Sequence, residues 1–263
     1  AGGQISADTF SLGKAGNINV SASRLEIDGK GLSNVVTSIA SQARNGSAYD
    51  TGQIKVSVAD TLKLVGGGSI NSGAFSRGNA GEVRVTARNL EIDGQGFKSG
   101  ISSQAEYGTG NAGSVYVDVT ETLKLQGSGQ ISSSTFSQGK AGEVHVTAHQ
   151  LKIDGQNSSN FATAIASTAT EKSTGDAGKV TVVVADTIEL LRSGQIGSDT
   201  SSEGIAGEVE VSAKQITIDG SGYSGDGLTG ISSSAQPGSS GDAGKVTVKV
   251  ADTLRLIDGG QIS

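Results

Sequence analysis

Hydrophobic positions along this chain alternate in steps of two and never settle into a helical stripe. Glu143-Val144-His145-Val146-Thr147-Ala148 shows the pattern. Period two sends one set of side chains inward and the other outward, as in a half-buried strand. The apolar members are mostly β-branched, which strands favour. A second apolar pair follows in Leu151-Lys152-Ile153, closed by Asp154-Gly155. A shorter stretch of Gln-Ile-Ser type precedes both. The pattern predicts short strands joined by Gly- and Asp-rich turns, where a positive φ or a tight turn is needed.

The pattern repeats. GQISSSTFSQGKAGEVHVTAHQLKIDGQ (129–156) recurs with small changes at 3–31, 68–96 and 194–222. These define A units over 2–31, 67–96, 128–156 and 193–222. Looser B units fill 32–66, 97–127, 157–192 and 223–258, and GGQIS at 259–263 restarts an A unit. The Gly that opens the main strand stands at 16, 52, 81, 113, 142, 178, 207 and 244, so units run from 29 to 37 residues. Self-similarity at this period marks a solenoid.

Three short strands per unit, eight times over, predict an all-β right-handed parallel β-helix, with handedness taken from the crossover preference. Residues 1–263 then form a single repeat domain, a fragment of a longer array. Equivalent positions should stack about 4.8 Å apart. One inward column is expected through Ile18, Val56, Val83, Val117, Val144, Val182, Val209 and Val248, with a one-step phase shift between units. A second runs through Leu25, Leu62, Leu90, Leu123, Leu151, Ile188, Ile216 and Leu254. A third follows two residues later, from Ile27 and Leu64 to Leu256. Phe10, Phe75 and Phe136 share one position in three A units, with Ser201 in the fourth.

Outward positions vary more. Between the two Leu-type columns stand Glu26, Lys63, Glu91, Lys124, Lys152, Glu189, Thr217 and Arg255. Opposite signs on neighbouring strands can pair, but Lys124 beside Lys152 breaks the alternation. The outward column of the main strand reads Asn19, Lys55, Arg84, Tyr116, His145, Thr181, Glu210 and Thr247. It is too irregular and charged for an ice-binding Thr ladder.

Composition narrows the function classes. Gly is 41 of 263 residues, Pro is one, and Cys, Met and Trp are absent. The net charge of −6 is spread in both signs, and no basic run marks a nucleic-acid partner. The longest apolar run is about five residues, too short for a bilayer span. No charged-then-apolar leader opens the chain, which reads as cytosolic or as an internal or mature piece. Without Cys there are neither disulfides nor thiolate metal sites.

Candidate chemistry is thin, and no catalytic, cofactor-binding or metal-binding residue is assigned. Gly108-Thr-Gly110-Asn-Ala-Gly113 matches a dinucleotide fingerprint, but a strand follows where that motif needs a helix, so it reads as a turn. Asp28, Asp93, Asp154 and Asp219, each before a Gly, read as turn chemistry, since one column of carboxylates makes a poor calcium cage. Gly-Asp-Ala-Gly at 175–178 and 241–244 reads as loop. Asp118, Glu121 and Asp226 are candidates for glycoside chemistry only by default. His145 is expected outward and exposed; four residues from His149 on a strand, about 13 Å, it makes no chelating pair.

GNAGEVRVTARNLEIDG and SGQISSSTFSQGKAGEVHVTA resemble the repeat region of filamentous-haemagglutinin-like exoproteins, the secreted partners of two-partner secretion systems, cyanobacterial members especially. The resemblance covers essentially the whole chain. It implies a secreted β-helical shaft on the surface of a Gram-negative bacterium, exported unfolded through an outer-membrane transporter barrel. It also implies adhesion to host or neighbouring-cell glycans or proteins. The Asn-Pro-Asn-type motifs of the family's secretion domain are absent, and Pro237 lies in a loop. The shaft reading has two alternatives: a filament self-assembling head to tail, and a polysaccharide-acting β-helix enzyme with an acidic groove. Recognition is expected in the variable loops at 30–36, 43–51, 156–163, 170–176 and 221–229.

Overall fold

The computed structural model describes residues 2–32, 36–44, 49–156, 158, 161–171, 173–222 and 227–263. The chain is an all-β solenoid of about eight coils. One sheet has nine short strands, from Gln4–Ser6 at one end to Gly260–Ile262 at the other; the second has ten. All pairing is parallel, each strand lying beside the equivalent strand of the next coil.

Two sheets replace the expected three strands per coil. The second and third apolar stretches run together as one long strand, such as Ile54–Val65 or Val144–Asp154, in six coils. They stay separate only as Ile18–Ala22 with Leu25–Asp28, and as Val115–Val119 with Thr122–Gln126. Register shifts fall at the join, for example between Val58 and Thr61 or between Ala148 and Gln150. We call this the bent sheet. A B unit has one residue more than an A unit between the opening Gly and the Leu column, and a bulge at the bend absorbs it.

That bulge corrects the first expected column. Ile18, Ile54, Val83, Val115, Val144, Val180, Val209 and Val246 stack in register. Val20, Val56, Val85, Val117, Val146, Val182, Val211 and Val248 form a second column beside it. No phase shift exists there, because each strand is counted from its opening Gly. The Leu column from Leu25 to Leu254 and its neighbour from Ile27 to Leu256 stack as expected. On the other sheet an unbroken isoleucine column runs Ile5, Ile39, Ile70, Ile101, Ile131, Ile165, Ile196, Ile231 and Ile262. These columns form one continuous hydrophobic cluster. Burying each such side chain is worth about 1.5–3 kcal/mol. At the ends of the stack, Ile5, Leu254 and Leu256 are exposed.

The third wall of the coil is not a sheet. It is the segment ending in the opening Gly, and its glycines are required by space rather than by φ. A Cβ on Gly52 would overlap the Gly16 carbonyl, and one on Gly142 the Gly113 carbonyl; the same holds along the column to Gly244. The walls are joined by a serine. Ser133, fully buried on the short-strand sheet, donates its hydroxyl to the Gly113 carbonyl (3.0 Å) and accepts the Gly142 N–H (2.8 Å). Ser41, Ser103, Ser167, Ser198 and Ser233 repeat this bridge. At Ser72 the pattern is modified: Gly81 N–H reaches both Ser72 and Thr51, whose hydroxyls lie 2.5 Å apart.

The charged outer column also finds its order. Lys63 and Lys124 both pair with Glu91 (3.2 and 4.0 Å), and Lys152 pairs with Glu189 (3.5 Å). Lys124 and Lys152 are neighbours in register, but each ion-pairs away from the other. These pairs are half exposed and contribute little each.

Replacing Ser133 with Ala leaves a half-buried Gly113 carbonyl and Gly142 N–H unpaired, at about 1–3 kcal/mol. Urea unfolding of Ser133→Ala should show that loss, and Gly142→Ala a larger one. The outward Thr181→Ala should change stability by less than about 0.5 kcal/mol. Equal effects of Ser133→Ala and Thr181→Ala would contradict the bridge.

Candidate functional site

The sequence-level candidates are dispersed and engaged in structural contacts. Asp118 is half-buried and accepts the Thr147 hydroxyl of the next coil at 2.9 Å. Glu121 lies exposed at a bend, where its backbone carbonyl accepts the N–H groups of His149 and Gln150, both at 3.0 Å. Asp226 lies outside the described residues, as do parts of each variable loop. No group of three or more His, Asp or Glu side chains converges among the described residues.

His145 points outward but is half-buried, not exposed as expected. The Tyr116 ring on the preceding coil covers it, with centroids 6.2 Å apart, and the Arg84 guanidinium lies 4.3 Å from the Tyr116 centroid. Strand stacking builds this Arg–Tyr–His ladder from residues about thirty apart. Arg44 likewise lies against both Phe10 and Phe75, at 5.9 and 5.6 Å.

The Asp-Gly pairs are turns. Each carboxylate accepts the backbone N–H two residues on: Asp28 from Lys30, Asp93 from Gln95, Asp154 from Gln156 and Asp219 from Ser221, at 2.8–3.1 Å. The positive φ falls on the residues after the pair, such as Lys30 and Gly31. The Lys30 ammonium at Asp28 and the Ser221 hydroxyl at Asp219, seconded by those N–H contacts, hold both carboxyls below the usual Asp value. Asp154 is also buried and bidentate to Arg192 of the next coil. The fingerprint at 108–113 and the two Gly-Asp-Ala-Gly motifs fall in the third wall. Gly110, Gly175 and Gly241 stack against the carbonyls of Gly78, Gly139 and Gly204, where no side chain fits. Their polar neighbours cap the adjacent coil: Asn79 accepts the Asn111 N–H, and Asn111 accepts the Lys140 N–H, both at 2.8 Å.

A feature the sequence reading missed lies on the outer face of the short-strand sheet. A cavity of about 250 Å³ crosses four strands there. Gly73 sits in register between Ala43's neighbour Gln42 and Gln104, and Gly100 between Ser69 and Gln130. Two missing side chains among longer amides leave a depression. The Phe75 ring lies over Gly73, so close that a Cβ there would come within 2.9 Å of it. Gln42 Nε2 donates to Asn71 Oδ1 (3.0 Å), Asn71 Nδ2 to Ser69 Oγ (3.2 Å), and Gln130 Nε2 to the Ala162 carbonyl (2.8 Å). Gln42 Oε1 and Ser132 Oγ are buried with no partner among the described residues. Lys98 is the one charged residue lining the cavity. Lys98 is exposed, and desolvation pulls its pKa down against the pull of Glu106. Burial pushes the Glu106 carboxyl up, and Lys98 opposes this.

Comparison of the chain with protein-family models, with curated proteins and with solved structures finds no match. Among the described residues no helix is long and apolar enough to cross a membrane.

Farther along the same outer face, burial pushes the Asp199 carboxyl up to about 6, against hydrogen bonds from Ser234 and Gln236. One of its oxygens has no partner among the described residues. The folded chain therefore keeps this proton up to about pH 6, whereas the unfolded chain releases it near its ordinary value of 3.8. Stability from this group is full below the unfolded value and falls as pH rises through that window. Asp199→Asn should stabilise the protein at about pH 7.5 by roughly 1–3 kcal/mol, the gain closing as pH falls to about 4. Thermal melts of both proteins across that range check it.

Proposed function

We propose that this chain is a structural shaft, a segment of a secreted surface exoprotein of the filamentous-haemagglutinin-like kind, without catalysis of its own. The observation that carries the reading is the continuous parallel pairing of both sheets through about eight coils, with register shifts confined to the bend. Stacked coils spaced about 4.8 Å apart make a rod of roughly 38 Å, and every coil is tied to the next by backbone pairing and, in most, by the serine bridge. Such a body transmits position: it holds what lies beyond it at a fixed distance from its base. Its carboxylates support that role, serving as turn acceptors, ion-pair partners and strand-to-strand contacts.

Secretion through an outer-membrane barrel and presentation on a Gram-negative surface belong to the same proposal. They rest on the repeat words, on the absence of Cys, which suits export as an unfolded chain, and on a fold that needs no disulfide. Adhesive contacts with glycans or proteins would use the sides of the rod and its variable loops, since loops accept sequence change most readily.

Antibodies raised against the purified chain should label intact cells of the source organism, and external protease should remove the label without lysis. Label confined to permeabilised cells would contradict the surface reading.

A further inference from the structure

The depression around Gly73 and Gly100 is lined for recognition. Gln42 offers an unused acceptor, because its amide nitrogen is already committed to Asn71. Ser132, only 6% exposed, offers an unused hydroxyl. An alcohol group is the simplest partner that donates to the first and accepts from the second. Beside Gln42 the Phe75 ring leans on the floor glycine, with the Arg44 guanidinium 5.6 Å from its centroid, so a cation flanks the ring. Gln42 and Ser132 stand three coils apart, roughly 14 Å along the axis. One small hydroxyl compound does not span that distance; a short chain of rings does. Among the described residues no acidic side chain lines the cavity, and Lys98 does.

We propose that this cavity binds a short acidic oligosaccharide, with its chain along the rod axis. Its hydroxyls meet Gln42 and Ser132, and a ring carboxylate meets Lys98. The site does not depend on the shaft reading: a rod of any origin with this face would carry it.

The test is calorimetric titration of the whole chain with a tri-uronate and, separately, with a neutral trisaccharide. The tri-uronate should bind saturably in the millimolar range or tighter and lose affinity as salt is raised, and the neutral sugar should bind at least about tenfold more weakly. Lys98→Ala should abolish that preference. Ser132→Ala should weaken tri-uronate binding while leaving the melting temperature unchanged or higher, since it removes an unpaired buried hydroxyl. A merely structural serine would do the opposite. Absence of saturable binding to either sugar overturns the site. Binding unaffected by Lys98→Ala and Ser132→Ala places it elsewhere on the rod, which also overturns the assignment. Equal affinity for both sugars overturns the acidic class.

Discussion

The structure depends on a three-centre contact repeated along the axis: a glycine carbonyl on one coil, a buried serine hydroxyl, and a glycine N–H on the next. Two walls of each coil are sheets and hold one another by ordinary parallel pairing. The third wall is no sheet: single backbone bonds cross it from coil to coil, such as Ala80 N–H to the Asn111 carbonyl and Ala112 N–H to the Lys140 carbonyl, and its glycines pack so closely that no Cβ fits between them. Its carbonyl and N–H face the interior, where an unpaired amide is costly. The inward serine satisfies both and links that wall to the short-strand sheet. Register follows from this anchor. The apolar columns of the bent sheet start two residues after each glycine, and any difference in unit length is expelled to the bend or to the loops.

With the interior fixed in this way, the outer surface can vary. The outer column of the bent sheet places Arg84, Tyr116 and His145 in a stack at one level and alternating lysines and glutamates at another. The Lys124–Lys152 contact is tolerated because Glu91 and Glu189 flank it. On the short-strand sheet the outward residues are small and polar, and a cavity appears where two of them are glycines. Asp199, farther along that face, shows the converse: a carboxylate on a sheet face without a cation, held partly in its protonated form.

Much of the fold was legible because periodicity and repetition point the same way. The Leu and Ile columns, the Asp turns and the order of the outward residues follow from aligning the repeats. Three things did not. The expected Val column crosses two true columns, because it takes the position two after the opening Gly in A units and four after it in B units, and both positions face inward. The second and third strands merge into one bent strand, and residue type does not distinguish a bulge from a break. The glycines were read as turn formers, although their role is close approach. A signal is present: Ser133 and its equivalents interrupt an inward apolar series at a constant place in every unit but the first, where Ala7 stands. The cavity had no sequence signal, since Gly73, Gly100, Gln42 and Ser132 come from four different units and have meaning only once stacked.

Amide hydrogen exchange followed by NMR tests the serine–glycine anchor most directly. The N–H groups of Gly113, Gly142, Gly178 and Gly207, although outside any strand, should be protected as strongly as the strand amides of Val146 and Val182. Exchange of these glycines at the rate of exposed turn amides such as Gly222 would show that the third wall is not tied to the sheets, and would contradict the account.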